Sequence, residues 1–269
     1  MIWVESSLYR WKPPTLVGGD VSVVYAHAKQ VLRSSWLAAD CPHLGTCDNV
    51  FIMSLSSDVN LWPSAEHALE YLRRADTIPH RVEGEATLLE FVPENVTRVL
   101  DLGSGGGRLL GLVRAARPQT QFVALDFSPA MLDTLRGHFG SIAEVTVIAH
   151  DLAKPLPEMG SFDCVISSFA IHHLPHQRKQ SLYGEIFELL TPGGVFCNLE
   201  HVASPSIALH HEFLRSIDTA PEQEDPSNKL LDLETQLQWL RQIGFIDVDC
   251  HWKWRELALL AGRKQNRRR

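Results

Sequence analysis

The chain has 269 residues, 45% hydrophobic and 21% charged, an ordinary globular composition with enough length for one large domain and an elaboration. A net charge of −7 gives no general attraction to polyanions and argues against a nucleic-acid partner, although Arg263, Lys264, Arg267, Arg268 and Arg269 make the extreme C-terminus locally basic. No run of about 18 apolar residues occurs, and Met1 to Pro14 lacks a basic start leading into an apolar core, so neither a membrane span nor a secretory leader is expected. The five cysteines are odd in number, and Cys164, Cys197 and Cys250 fall in apolar runs, which fits a reducing, cytoplasmic compartment. Cys41 and Cys47 frame a loop without a matching second pair, so no metal site is expected.

In chain order, residues 1–52 read as an N-terminal extension with weak periodicity, an early Pro13-Pro14 pair and no motif attached to chemistry, and Met53 is a candidate start. Residues 53–96 read as a helical cap. Ser64 to Arg74 and Gly84 to Val92 carry helical apolar spacing, through Ala65, Ala68, Leu69 and Leu72, then Ala86, Leu88, Leu89 and Phe91. From Thr97, short β-rich apolar runs alternate with helix-like segments. This is the pattern of a Rossmann-like, doubly wound, seven-stranded and mostly parallel α/β sheet. The expected strands are Arg98 to Leu102, Gln121 to Asp126, Val145 to His150, Asp163 to Ser168, Gly194 to Glu200, Ile246 to Trp254 and Glu256 to Ala261. Ser128-Pro129 reads as an N-cap with a first-turn proline, and Thr191-Pro-Gly-Gly194 as a helix stop and turn. The last two strands have almost nothing between them around Arg255, so they form a C-terminal antiparallel hairpin. Residues 204–231 are too long for a plain connection and read as an insertion bordering an acceptor pocket, with an acidic stretch from Pro221 to Pro226. The domain runs over residues 97–264, and residues 265–269 form a basic tail.

The chemistry concentrates where the first strand ends. Asp101-Leu-Gly103-Ser104-Gly105-Gly-Gly107 bends the chain tightly and brings backbone N–H groups and a helix start close to a ligand. A dinucleotide fingerprint starting at Gly103 requires glycine at position 108, where Arg108 stands, so a nicotinamide cofactor is disfavoured.

The spacing D-x-G-x-G-x-G instead resembles motif I of class I S-adenosyl-L-methionine (SAM)-dependent methyltransferases. The resemblance covers about Asn60 to Lys264 in layout and is specific in motif from Val99 to Gly194. It implies SAM as cofactor and transfer of a methyl group to a small-molecule acceptor. Asp101, Gly103, Ser104, Gly105 and Gly107 then form the cofactor turn, and Asp126 matches the acid that accepts from both ribose hydroxyls, a task suited to two acceptor oxygens. His150-Asp151-Leu152 resembles the adenine-binding turn, with Phe127, Met131 and Leu152 packing the ring and Asp151 taking the exocyclic amine. Phe162-Asp163 through Leu174, including Ser168 at the strand end, and Leu190 to Gly194 match the later motifs. In the cap, Trp62, Tyr71 and Arg81 are placed to close over the cofactor, with Arg81 pairing its carboxylate.

Methyl transfer from a sulfonium is an in-line displacement in which positioning supplies most of the acceleration, and only some acceptors need a base. His172 and His173, just past the fourth strand, are the candidate catalytic residues. Glu200, His201, His210, His211 and Phe213 are further pocket candidates, and Trp252 and Trp254 read as packing residues. Two other functions stay open. The run Leu233 to Phe245 with Trp252 to Ala261 is similar to enzymes of the tRNA carboxymethyluridine pathway that handle carboxy-SAM, where Lys229 offers a charge to the extra carboxylate. A non-catalytic SAM-binding protein is the other. Oligomeric state is not legible.

Overall fold

The computed structural model describes residues 60–266. The extension, Met53, the Cys41–Cys47 loop and Arg267 to Arg269 lie outside them. Two cap helices come first, α1 (Ala65–Arg74), whose N-cap Ser64 accepts from the His67 amide, and α2 (Arg81–Phe91). Then β1 (Arg98–Leu102), α3 (Arg108–Ala116), β2 (Gln121–Asp126), α4 (Pro129–Phe139) and β3 (Val145–Ala149) alternate. They are followed by β4 (Phe162–Ser168), α5 (His176–Leu189), β5 (Leu190–His201), α6 (Ile207–Ser216), α7 (Leu233–Ile243), β6 (Phe245–Trp254) and β7 (Leu257–Lys264).

The seven strands lie in the order β3-β2-β1-β4-β5-β7-β6, parallel through β5, with β7 antiparallel to both β5 and β6. The hairpin is therefore folded back: the last strand inserts beside β5 and leaves β6 at the edge. The sequence places β5 from Gly194, but pairing begins at Leu190, because a register shift against β4 absorbs the Pro-Gly-Gly segment and Gly193 adopts φ 84°. The helix stop there holds, with α5 ending at Leu189.

Period-two alternation sends Val99, Phe122, Ala124, Val195 and Leu259 into a core with α2, α3 and α4 on one face. Leu100, Val123, Leu125, Phe196 and Leu260 join α5 and α7 on the other. That second core contains polar groups: Asn198 and Glu200 are fully buried, and the Tyr183 hydroxyl donates to Gln236 Oε1 at 2.7 Å.

The cap is tied to the first sheet crossover by charge. Glu85 on α2 is fully buried and accepts from Arg81 Nε at 2.8 Å and from Arg108 at 2.7 and 2.8 Å, while Arg108 also pairs with Asp76. One carboxylate thus holds two guanidinium groups in a dry setting, where removing it leaves buried charge uncompensated. Glu85→Ala should lower unfolding free energy by about 3 kcal/mol or more, read as a shift in denaturation midpoint; an unchanged midpoint contradicts this account of the cap.

Candidate cofactor and acceptor site

The carboxyl ends of β1, β2 and β4 open onto a cavity of about 280 Å³. Strand ends face the ligand crevice in open α/β sheets, and the reversal between β1 and α3 gives the cavity its floor. Gly103 has φ 66°, and a side chain there would meet the Ala170 Cβ at 2.2 Å, so only glycine lets this turn pass the end of β4. The Gly105 amide donates to Asp126 Oδ2 at 2.8 Å and the Ser128 amide to Asp126 Oδ1 at 2.9 Å. The turn and the carboxylate hold each other, and each oxygen keeps a further lone pair toward the cavity.

The structure brings together Arg81, Asp101, Gly103, Ser104, Gly105, Asp126, Phe127, Met131, Asp151, Leu152 and Ser168 on this wall, with His173 at one end. Gly107 stands apart from it. A side chain there would meet Phe139 at 2.4 Å and Leu135 at 2.7 Å, so this glycine serves the packing of α3 on α4. Arg81 is not a solvated surface residue. It is 4% exposed, its Nε is held by Glu85, and its guanidinium lies 5.0 Å over the Phe169 ring.

Several polar atoms on the wall are buried without a protein partner: Asp101 Oδ2, Ser168 Oγ, His150 Nε2 and Trp62 Nε1. Buried polar groups are normally paired, so this set fits a polar ligand. Burial pushes the Asp101 carboxyl up to about 7, against a hydrogen bond with Ser104. Burial also raises Asp126, against the backbone amides that donate to it. Two carboxylates over a glycine turn, with Phe127, Met131 and Leu152 as apolar walls, suit an adenosyl group bearing an amine: the acids accept from hydroxyl and ammonium groups and the apolar walls sandwich the ring.

A second cavity of about 190 Å³ adjoins the first. The two share Trp62, Tyr71, Phe169 and His173. Beyond that junction, His172, His201 and Phe213 form the inner wall, and Glu224 and Asp225 of the insertion the outer one. His172 lines this second cavity and not the first. Its Nδ1 is 2.8 Å from Glu200 Oε1, and Glu200 also accepts from the His201 amide at 2.9 Å and from Asn198 at 3.1 Å. With donors on every side, Glu200 acts as acceptor and His172 carries its proton on Nδ1. Burial, followed by the charges of His201 and Lys179, holds His172 well below the usual imidazole range. Burial and neighbouring His172 do the same for His173, so both rings are neutral at pH 7.

Glu200 is thus behind the wall and not on it. His210 pairs with Glu256 at 3.0 Å and Glu224 at 3.1 Å, while His211 is exposed. Trp252 and Trp254 pack on the core. Phe169 escapes sequence reasoning although it directly follows a strand end, and its φ of 51° turns the chain into the junction. Lys179, buried beneath the insertion and donating to the Lys229 carbonyl, is likewise invisible in a helix that reads as amphipathic. Among the described residues no group of three or more His, Cys, Asp or Glu can hold a metal ion, and no helix is long and apolar enough to cross a membrane.

Residues 99–194 match the family described as "Methyltransferase domain". A carboxy-S-adenosyl-L-methionine synthase of Klebsiella pneumoniae is 28% identical over 225 residues, covering 74% of this chain and 89% of that protein. A demethylmenaquinone methyltransferase of Thermus thermophilus is 34% identical over 119 residues, covering 44% of this chain and 51% of that protein. In fold, human N-acetylserotonin methyltransferase in complex with SAM superposes with a TM-score of 0.57 at 20% identity; the match covers 77% of this chain and 58% of the human chain, under two thirds of its length. Over residues 99–194 the chain is therefore similar to methyltransferase domains, and its fold is that of the SAM-bound methyltransferase above.

Proposed function

We propose that the chain transfers a methyl group from SAM, held in the larger cavity, to a small molecule held in the smaller one. The observation that carries this reading is the shared wall of Trp62, Tyr71, Phe169 and His173, across which the two cavities meet. When bound, SAM supplies an electrophilic methyl group on a sulfonium. Asp126 receives the ribose hydroxyls on lone pairs left free by Gly105 and Ser128, and Asp101 Oδ2 accepts from the ammonium group. Phe127, Met131 and Leu152 sandwich the adenine, Asp151 takes its amine, and Arg81, held by Glu85, Tyr71 and the Ala75 carbonyl, lines the cavity as the cation for the carboxylate.

Neutral His173, at the junction, accepts the proton that an O–H or N–H acceptor gives up as its new bond to carbon forms. His172, locked by Glu200 and tilted against His173 with ring centroids 4.0 Å apart, buttresses it. A cavity of about 190 Å³ with an aromatic rim fits a small acceptor, as does the acidic balance of the chain.

Lys229 favours a second reading. It lines the cofactor cavity with its amine 3.4 Å from the His173 carbonyl, where it would meet an extra carboxylate on the cofactor. Relatives named carboxy-S-adenosyl-L-methionine synthase align over most of the chain. The mass of the co-purified cofactor, together with labelled-methyl transfer into a metabolite extract, separates the readings. Ordinary SAM and a labelled small product support methyl transfer; a cofactor heavier by a carboxylate supports the second; tight SAM binding with no labelled product supports a non-catalytic binder.

Asp126→Ala should weaken SAM binding by about 2 kcal/mol or more, roughly thirtyfold, through loss of charge-assisted hydrogen bonds. Unchanged affinity in calorimetry refutes the cofactor placement. SAM affinity of the wild type should also fall as pH drops through about 7, where buried Asp101 takes up its proton and stops accepting from the ammonium group. Ligand binding favours the ionised form, so the loss is on the acid side. Asp101→Asn should flatten that dependence, and an identical pH profile in the variant excludes Asp101 as its source.

A further inference from the structure

The insertion between β5 and α7 does more than cover the acceptor cavity. Ser227 is 1% exposed, and its Oγ lies between two partners, Asp225 Oδ1 at 2.6 Å and His173 Nδ1 at 3.0 Å. Asp225 Oδ1 also accepts from the Ser227 amide at 2.8 Å, and its Oδ2 is 3.3 Å from His67 Nε2. A carboxylate can only accept, and a hydroxyl has one hydrogen to give. The serine hydrogen is therefore committed to Asp225, and its oxygen is left to accept from His173.

We infer that Asp225 and Ser227 are positioning residues that fix His173 as the Nδ1–H tautomer, so that its Nε2 lone pair is the basic atom presented at the junction of the two cavities. The inference rests on the methyl-transfer reading for its purpose but not for its geometry. His173 Nε2 has no hydrogen-bond partner among the described residues, and the ring lines both cavities. Its backbone is held from the same insertion, where the Lys229 amide donates to the His172 carbonyl at 2.9 Å and the Lys229 amine lies 3.4 Å from the His173 carbonyl. The ring is pinned between Trp62 at 5.0 Å and His172 at 4.0 Å. In the wrong tautomer Nε2 would carry hydrogen and could take no proton from an acceptor, which is why tautomer control matters at a base.

The test reads the tautomer directly, without any acceptor. The full chain labelled with ¹⁵N-histidine gives two-bond ¹H–¹⁵N correlations that distinguish protonated from bare ring nitrogens, and His173→Gln assigns the signals. At pH 8 the wild type should show His173 protonated on Nδ1 and bare on Nε2. Ser227→Ala should convert it to a mixture. Asp225→Ala, which frees the serine hydrogen to turn toward His173, should shift it toward Nε2–H although Ser227 is intact. With an identified acceptor, both variants should lose at least about tenfold in kcat while SAM affinity is retained. Nε2 protonation in the wild type, or a tautomer unchanged in both variants, overturns the assignment. Absence of methyl transfer by the wild type would instead overturn the functional reading and leave the tautomer result standing, so the two failures are distinguishable.

Discussion

The cofactor wall depends on the tight reversal at the end of β1. Gly103 runs so close to Ala170 that no side chain fits where the turn passes the hydrogen-bonded ends of β1 and β4. Gly105 then points its amide at Asp126, so the second strand's carboxylate is oriented by the first strand's loop. Because Ser128 holds the other oxygen, Asp126 is aimed before any ligand arrives. Such preorganisation spends the ordering entropy at folding and not at binding.

A second device works at the opposite wall. Imidazoles are set against carboxylates: His172 on Glu200, His201 and His210 on Glu256, His173 through Ser227 on Asp225. At His172 the acid marks Nδ1 as the ring nitrogen that carries hydrogen, whereas His210 meets carboxylates at both nitrogens. The buried chain from Glu200 through Asn198 to Tyr183 and Gln236 carries this into the core, with Lys179 offsetting its charge. Asn198 Oδ1 has no partner, the one gap in that chain.

Much of this was legible in the residues. Strand ends and the glycine turn follow from local alternation and spacing, because each is set by its own neighbours along the chain, while the roles expected of Asp126 and Asp151 come from the family resemblance. Gly107 reads from spacing as part of the turn, and only the fold shows that a side chain there would also meet Phe139 of α4. Glu85 reads as one more helix acid, and its burial depends on Arg108, 23 residues away. Asp225 and Ser227 lie in a stretch that looks merely acidic, and they acquire meaning from a histidine more than 50 residues earlier. Local chemistry is written locally; partners across the fold are not.

The folded-back hairpin bears on how the molecule is made. Strands β1 to β4, with the carboxylates and glycines of the cofactor crevice, leave the ribosome well before β7, and among the described strands β6 pairs only with β7. Glu256, which holds His201, His210 and Ser204, stands at the threshold of that last strand. N-terminal parts of a chain fold first during synthesis. The crevice residues are thus made before the strand that completes both hydrophobic cores, and a chain cut short before Glu256 would lack both that packing and the acid that holds His201 and His210.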